Sequence, residues 1–207
     1  VWFPTWLMAC DLDGVDATIE VLDEFSDRLD IVLKVHTRNP ANEMADYGRR
    51  LPKGSRIRLV ANEEESFAMT RWADILLITQ SSIIYDAFLL DKPVLYLKYT
   101  HDFDCMWDVD GVGDTVPDAD ALRQRLSAIA EGRYKPPYGR AAVDRYLKLA
   151  VTGGLEPEAV LPAYIELFDQ AAAGAPLTAG HDFETAADRW RAEGRQTVGI
   201  DVLRKAA

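Results

Sequence analysis

Short apolar runs separated by stretches of helical periodicity fill residues 1 to about 131, and that alternation leaves few folds open. The runs are Val1–Thr5, Asp30–His36 (DIVLKVH), Arg56–Val60 (RIRLV), Asp74–Thr79 (DILLIT) and Pro93–Tyr99 (PVLYLKY). Between them, Val15–Leu29, Ala41–Arg50, Glu63–Trp72 and Ser82–Leu90 space their apolar residues as helices do, with Ile19, Leu22 and Phe25 on one stripe. Strands that are apolar throughout, each followed by a helix, predict stacked βα units and a mainly parallel sheet covered on both faces. Turn chemistry agrees: Pro52-Lys53-Gly54-Ser55 separates a helix from a strand, and Asp91-Lys92-Pro93 ends another helix just before one.

Beyond Tyr99 the pattern changes. The stretch THDFDCMWDVDGVGDTVPD is too irregular and too long for an ordinary connection, so it reads as a functional loop or a partly disordered one. Helices then take over at Ala119–Glu131, Gly139–Ala150, Glu156–Ala173 and Phe183–Glu193. The expected organisation is a Rossmann-like domain over residues 1–175 followed by a helical tail over 176–207. The chain opens at Val1 directly in strand-like sequence, which suggests a domain cut from something longer.

Composition narrows the function. A formal charge of -11 argues against a surface built for nucleic acid, so any phosphate must be held by a local pocket. The two cysteines, Cys10 and Cys105, are far apart and belong to no C-x-x-C pair, which suggests neither a zinc site nor a disulfide framework and fits a reducing, cytoplasmic setting. No stretch approaches the roughly 18–20 apolar residues of a membrane span.

Open parallel sheets bind ligands beyond the carboxyl ends of their strands, so the residues just after each strand matter most. These are Pro4-Thr5-Trp6, His36, Thr79-Gln80-Ser81-Ser82 and Tyr99-Thr100-His101-Asp102. Ser81 and Ser82 open a helix, where unpaired N–H groups and the helix dipole favour an anion; the same serines also suit plain helix capping. His36 is flanked by Lys34 and Arg38, which gathers up to three cationic or donor groups at one strand end of an acidic chain.

The order of these motifs resembles a known family. VWFPTW, VLKVHTRNP, ADILLITQSSIIYDAFLLDKPVLYL and DTVPDADALRQRL are similar to the carboxyl-terminal domain of the CDP-glycerol glycerophosphotransferases, the teichoic-acid and capsule polymerases of GT-B architecture. The resemblance covers roughly residues 1–172. It implies half of a GT-B enzyme with a helical carboxyl-terminal extension, acting as a transferase that moves a polyol phosphate from a CDP-activated donor to a hydroxyl of a cell-surface polymer. It implies His36 as the catalytic residue, and Ser81, Ser82, Thr5 and Asp86 as donor- or phosphate-binding groups; Lys34 and Arg38, the cations flanking His36, are expected to join them on the phosphate, with no metal and no cofactor. The partners implied are the donor nucleotide, the polymer acceptor and an amino-terminal domain outside this chain, at the inner face of the cell membrane, with the isolated domain expected to turn over little. Thr37 stands where that family has proline, and Gln80 where an aromatic residue is common before the serines.

Two other enzyme classes compete. A nucleotide-sugar glycosyltransferase of GT-B type uses the same phosphate cradle with a different donor. A haloacid-dehalogenase-type, magnesium-dependent phosphatase needs an aspartate pair, a threonine, a lysine and a late acidic motif, and Asp11 and Asp13, Thr79, Lys92, and Asp114 and Asp118 occur in that order. Against it, the CMWDVDGV stretch that precedes the late motif reads as loop, Lys92 lies at the entry to a strand, and Pro4 breaks the run into Asp11. On this reading Asp13, Gly14 and Asp16 provide turn and cap chemistry for the first helix.

Overall fold

A computed structural model of the chain describes residues 1–36, 40–61, 65–102, 105, 107 and 111–174. Of the expected features, Arg38, the Phe183–Glu193 helix and the tail from 176 lie outside the described residues. The chain groups into two compact units, Val1–Val143 and Asp144–Ala207.

The first unit is a six-stranded sheet in the order β3-β2-β1-β4-β5-β6 with every pairing parallel. Its strands are β1 (Trp2–Phe3), β2 (Val32–Lys34), β3 (Arg58–Val60), β4 (Leu76–Ile78), β5 (Val94–Leu97) and β6 (Asp114–Val116). The connecting helices are α1 (Leu12–Glu24), α2 (Pro40–Arg50), α3 (Ser66–Trp72) and α4 (Ile83–Leu89), and α5 (Ala119–Ala130) follows β6. This is the doubly wound, Rossmann-like arrangement that the strand pattern predicts. The register is set at the centre by Trp2 opposite Leu33 on one side and Leu77 on the other.

Central strands β2, β4 and β5 are buried at every position, as expected when helices cover both faces. On one face Trp2, Leu33, Leu77, Leu95 and Val116 pack against Val15, Ile19 and Leu22 of α1 and Leu122 and Leu126 of α5. Tyr47 of α2 joins this core with its ring edge-on to Trp2, centroids 5.9 Å apart. Beyond the sheet, Phe88 of α4 meets Tyr138 in a similar edge contact at 6.0 Å. Edge strand β3 begins with the exposed Arg58, whose guanidinium lies 5.9 Å from the Trp72 ring centre.

Sequence reading places five strands, and the sixth lies in the stretch assigned to loop. β6 is three residues long, follows Gly113 in a left-handed conformation (φ 92°) and starts with a carboxylate, all of which imitate a loop. Asp114 is tolerated at 3% exposure because its partners come later in the chain: Arg125 donates to both carboxylate oxygens at 3.2 Å and the Tyr134 hydroxyl donates at 3.1 Å. β1 also stops sooner than Thr5, at Phe3, because Pro4 has no N–H to continue the ladder.

After α5 come α6 (Arg140–Ala150) and, following the Gly153-Gly154 turn, α7 (Pro157–Ala172). α7 buries none of its residues within the described structure, and Leu161 and Phe168 are among its most exposed apolar side chains. Among the described residues no helix is long and apolar enough to cross a membrane.

Candidate functional site

The strand order reverses between β1 and β4, and in open parallel sheets the carboxyl edge at such a reversal is where a ligand crevice is expected. Thr5 lies on the tail of β1, Gln80, Ser81 and Ser82 on the tail of β4, and His36 on the tail of β2, which neighbours β1 on its other side. Topology therefore brings Thr5, His36 and the serine pair to three adjacent strand ends.

Their exposures differ. Thr5, His36 and Ser81 are partly buried and Ser82 is exposed. The Ser81 hydroxyl accepts the Ile83 N–H at 3.4 Å, a capping contact, whereas Ser82, the N-cap of α4, makes no side-chain cap bond. Asp86 sits partly buried in the first turn of α4. Lys34, expected beside His36 at the strand end, is instead 2% exposed within β2. Its place in a strand covered on both faces keeps it inside the packed layer.

Beneath the crevice the strand tails are tied together by side chains that capping or turn signals alone do not reveal. The Thr100 hydroxyl donates to Leu97 O at 2.7 Å and lies 3.4 Å from the Thr79 hydroxyl, which is 3.5 Å from Trp2 Nε1. All three residues are essentially inaccessible to solvent. The Asp11 N–H donates to Thr100 O at 2.8 Å, joining the β1–α1 connection to the turn Lys98–Thr100 that follows β5. Two helical turns on, Thr18 donates to Gly14 O at 2.8 Å and meets the Tyr99 hydroxyl at 2.7 Å. Burial pushes the Tyr99 phenol up to about 12, with the Thr18 hydrogen bond opposing the shift and Asp118 adding to it.

Gly14 explains how α1 comes this close. A Cβ at that position would lie 2.7 Å from Tyr99 O and 3.3 Å from Thr100 Cα. The glycine is needed for backbone approach inside a helix, not for the turn that sequence reading assigns to it. The cap is likewise displaced: Asp11, not Asp13 or Asp16, is the N-cap of α1, its carboxylate accepting the Asp13 N–H at 3.3 Å. Asp11 also stands a full turn of chain beyond the end of β1, after the 3-10 turn Leu7–Ala9, so it is not a strand-end nucleophile. Among the described residues no three His, Cys, Asp or Glu side chains gather closely enough to hold a metal ion.

Further along the carboxyl edge, His101 is 4% exposed and its Nε2 lies 3.0 Å from the Tyr96 hydroxyl. The Tyr96 ring also meets Trp107 edge-on at 5.7 Å. On the other side, Glu43 in the first turn of α2 accepts the Leu7 N–H at 3.2 Å and so fastens the turn after β1 to the helix after β2. Sequence reading passes over Glu43, although its spacing of four from Tyr47 places both on one helix stripe.

No family model matches the chain, and no curated protein does. Among solved structures it is similar to the UDP-GlcNAc 2-epimerase of Methanocaldococcus jannaschii, solved in complex with UDP-GlcNAc and UDP. The identity is 14% and the TM-score 0.46, over 72% of this chain and 44% of that one. The chain thus spans less than half the length of that structure, and its fold assignment rests on its own strand order.

Proposed function

We propose that this chain is the donor-binding half of a transferase, taking a nucleoside-diphosphate-activated substrate in the β1/β4 crevice, with a CDP-activated polyol phosphate as the donor. The observation that carries the reading is the convergence of Thr5, His36 and the Ser81–Ser82 pair on the tails of adjacent strands at the reversal point of a parallel sheet. The resemblance of VLKVHTRNP and ITQSSIIYDAF to the glycerophosphotransferases adds the donor class. In the transfer, an acceptor hydroxyl attacks the phosphorus bearing the polyol, the bond to the bridging oxygen breaks, and CMP departs. His36 and the serine hydroxyls supply donors to the phosphate oxygens as charge accumulates there. The acceptor is the hydroxyl of a growing polymer, and an amino-terminal domain outside this chain presents it.

Thermal unfolding with added nucleotides tests this. A ligand at 100 times its Kd stabilises by about 2.7 kcal/mol. CDP-glycerol is expected to raise the melting temperature, and His36→Ala or Ser81→Ala to remove most of that rise. A second reading, a nucleotide-sugar donor, is favoured by Gln80, which is exposed at the crevice where the resembled family has an aromatic residue. Stabilisation by UDP-sugars but not by CDP-glycerol decides for it. Magnesium-dependent hydrolysis of a phosphomonoester that disappears in Asp11→Asn would overturn both.

A further inference from the structure

Beside the crevice, under the turn that follows β1, three ionisable side chains share one enclosed spot without a cation among them. Glu43 is 3% exposed; its Oε1 accepts the Leu7 N–H, while its Oε2 is buried with no hydrogen-bond partner. Tyr47, one helical turn on, is fully buried and its hydroxyl also lacks a partner. Cys10 comes in from the turn, its thiol pointing at Trp6 O (3.7 Å) and Thr5 O (3.9 Å). Among the described residues, the charged groups that act on the spot are Asp11 from the start of α1 and Asp46 and Arg50 from α2. Arg50 is already engaged, donating to Asp16 at 2.5 Å.

A carboxylate with one oxygen sealed from water and unpaired is far costlier than a neutral acid in the same place. The helix N-terminus of α2 pulls the other way, favouring the charged form. Burial leads the balance and raises the Glu43 carboxyl above its ordinary range; Asp46 adds to the shift and the Leu7 N–H opposes it. The same enclosure pushes the Cys10 thiol up to about 12 and the Tyr47 phenol higher still.

We propose that Glu43 keeps its proton to higher pH in the folded chain than in the unfolded one, and that this protonated side chain is a pH-sensitive pin holding the Leu7–Ala9 turn, and with it the Thr5–Trp6 tail of β1, against α2. When Glu43 ionises, Oε2 must find water. The turn it holds is one residue from solvent at Met8, which is 81% exposed, so the turn is the cover that lifts. The crevice wall carrying Thr5 is then firm at lower pH and loosened at higher pH, whichever donor the crevice takes.

Glu43→Gln keeps the acceptor for Leu7 and cannot ionise, so it mimics the neutral acid. A raised folded-state value means that the folded chain holds a proton the unfolded chain has lost. Wild-type stability therefore falls as pH rises from the ordinary glutamate value of about 4.3 to the folded one, and is flat above it. Denaturant unfolding of both proteins at intervals from about pH 4 to about pH 8 should show the ratio of their unfolding constants changing up to tenfold per pH unit, in favour of Glu43→Gln. Amide exchange over the Leu7–Ala9 turn, corrected for the intrinsic rate, should lose protection with pH in wild type and keep it in Glu43→Gln. A ratio constant with pH overturns the proposal, as does equal protection in the two proteins. Should Glu43→Gln not fold, infrared spectra of the wild-type chain from about pH 4 to about pH 8 serve instead: a protonated-carboxyl band that outlasts the ordinary glutamate value of about 4.3 supports the pin, and its loss together with the other carboxyls overturns it.

Discussion

The two edges of the sheet are built for different ends. At the carboxyl edge β1, the tail of β4, the turn after β5 and helix α1 are laced together by Thr79, Thr100, Thr18 and Tyr99. At the amino edge the strands enter over a cavity of about 290 Å³ lined by apolar side chains, among them Leu22, Trp72 and Leu126, together with Asp30, Asp74 and the amino-terminal residue Val1. Asp114 closes the far end of that edge through its pairing with Arg125 and Tyr134. That cavity lies at the opposite edge from the candidate site. Strand ends locate the candidate site instead: Thr5, His36, Ser81 and Ser82 follow neighbouring strands where the strand order reverses.

This contrast predicts that amino-edge substitutions cost stability without touching ligand binding, while carboxyl-edge substitutions do both. The largest effect is expected from Leu126→Ala, which widens the amino-edge cavity and removes a 3%-exposed core side chain. It should destabilise by about 2–5 kcal/mol in denaturant unfolding and leave the nucleotide-induced melting shift unchanged. Asp114→Asn comes next. It removes the charge from hydrogen bonds to Arg125, which is about a third exposed and can turn to water, so a loss of about 1.5–3 kcal/mol is expected, again with binding intact.

Gly14→Ala moves the test to the other edge. The new Cβ meets Tyr99 O, a backbone atom that cannot swing aside, so about 1–3 kcal/mol is expected together with a smaller nucleotide-induced shift. Smallest is Tyr99→Phe, which forfeits one hydrogen bond to Thr18 and about 0.5–1.5 kcal/mol. This variant also carries a pH signature. Because burial raises the Tyr99 phenol from its ordinary 10.0 to about 12, the folded chain holds that proton longer than the unfolded one. Wild-type stability should therefore fall as pH rises through that window, and Tyr99→Phe should fall less steeply.

How much of this was readable beforehand depends on range along the chain. DILLIT and PVLYLKY announce central parallel strands because a strand buried on both faces must be apolar at every position, and a local window shows that. β6 is hidden because Asp114 becomes acceptable only through Arg125 and Tyr134, which no local pattern links to it. Lys34 misleads for a related reason: beside His36 it reads as a cation at the strand mouth, yet the cover over both faces of β2 buries it. The positions of Thr5, His36 and Ser81 follow from strand ends and were open to inspection. Gly14 and Glu43 act through contacts with Tyr99 and Leu7 made across the fold, and their residue types alone do not announce those partners.

The central claim is that a nucleotide donor binds at the β1/β4 carboxyl edge. Backbone amide shifts recorded by NMR as CDP-glycerol is added to the chain test it most directly. The account predicts that the amides of Thr5, His36, Gln80, Ser81 and Ser82 move together and saturate with one binding constant, while those of Asp30, Asp74 and Asp114 stay in place. Saturable shifts confined to the amino edge, or none at all with CDP-glycerol and with UDP-sugars, would contradict it.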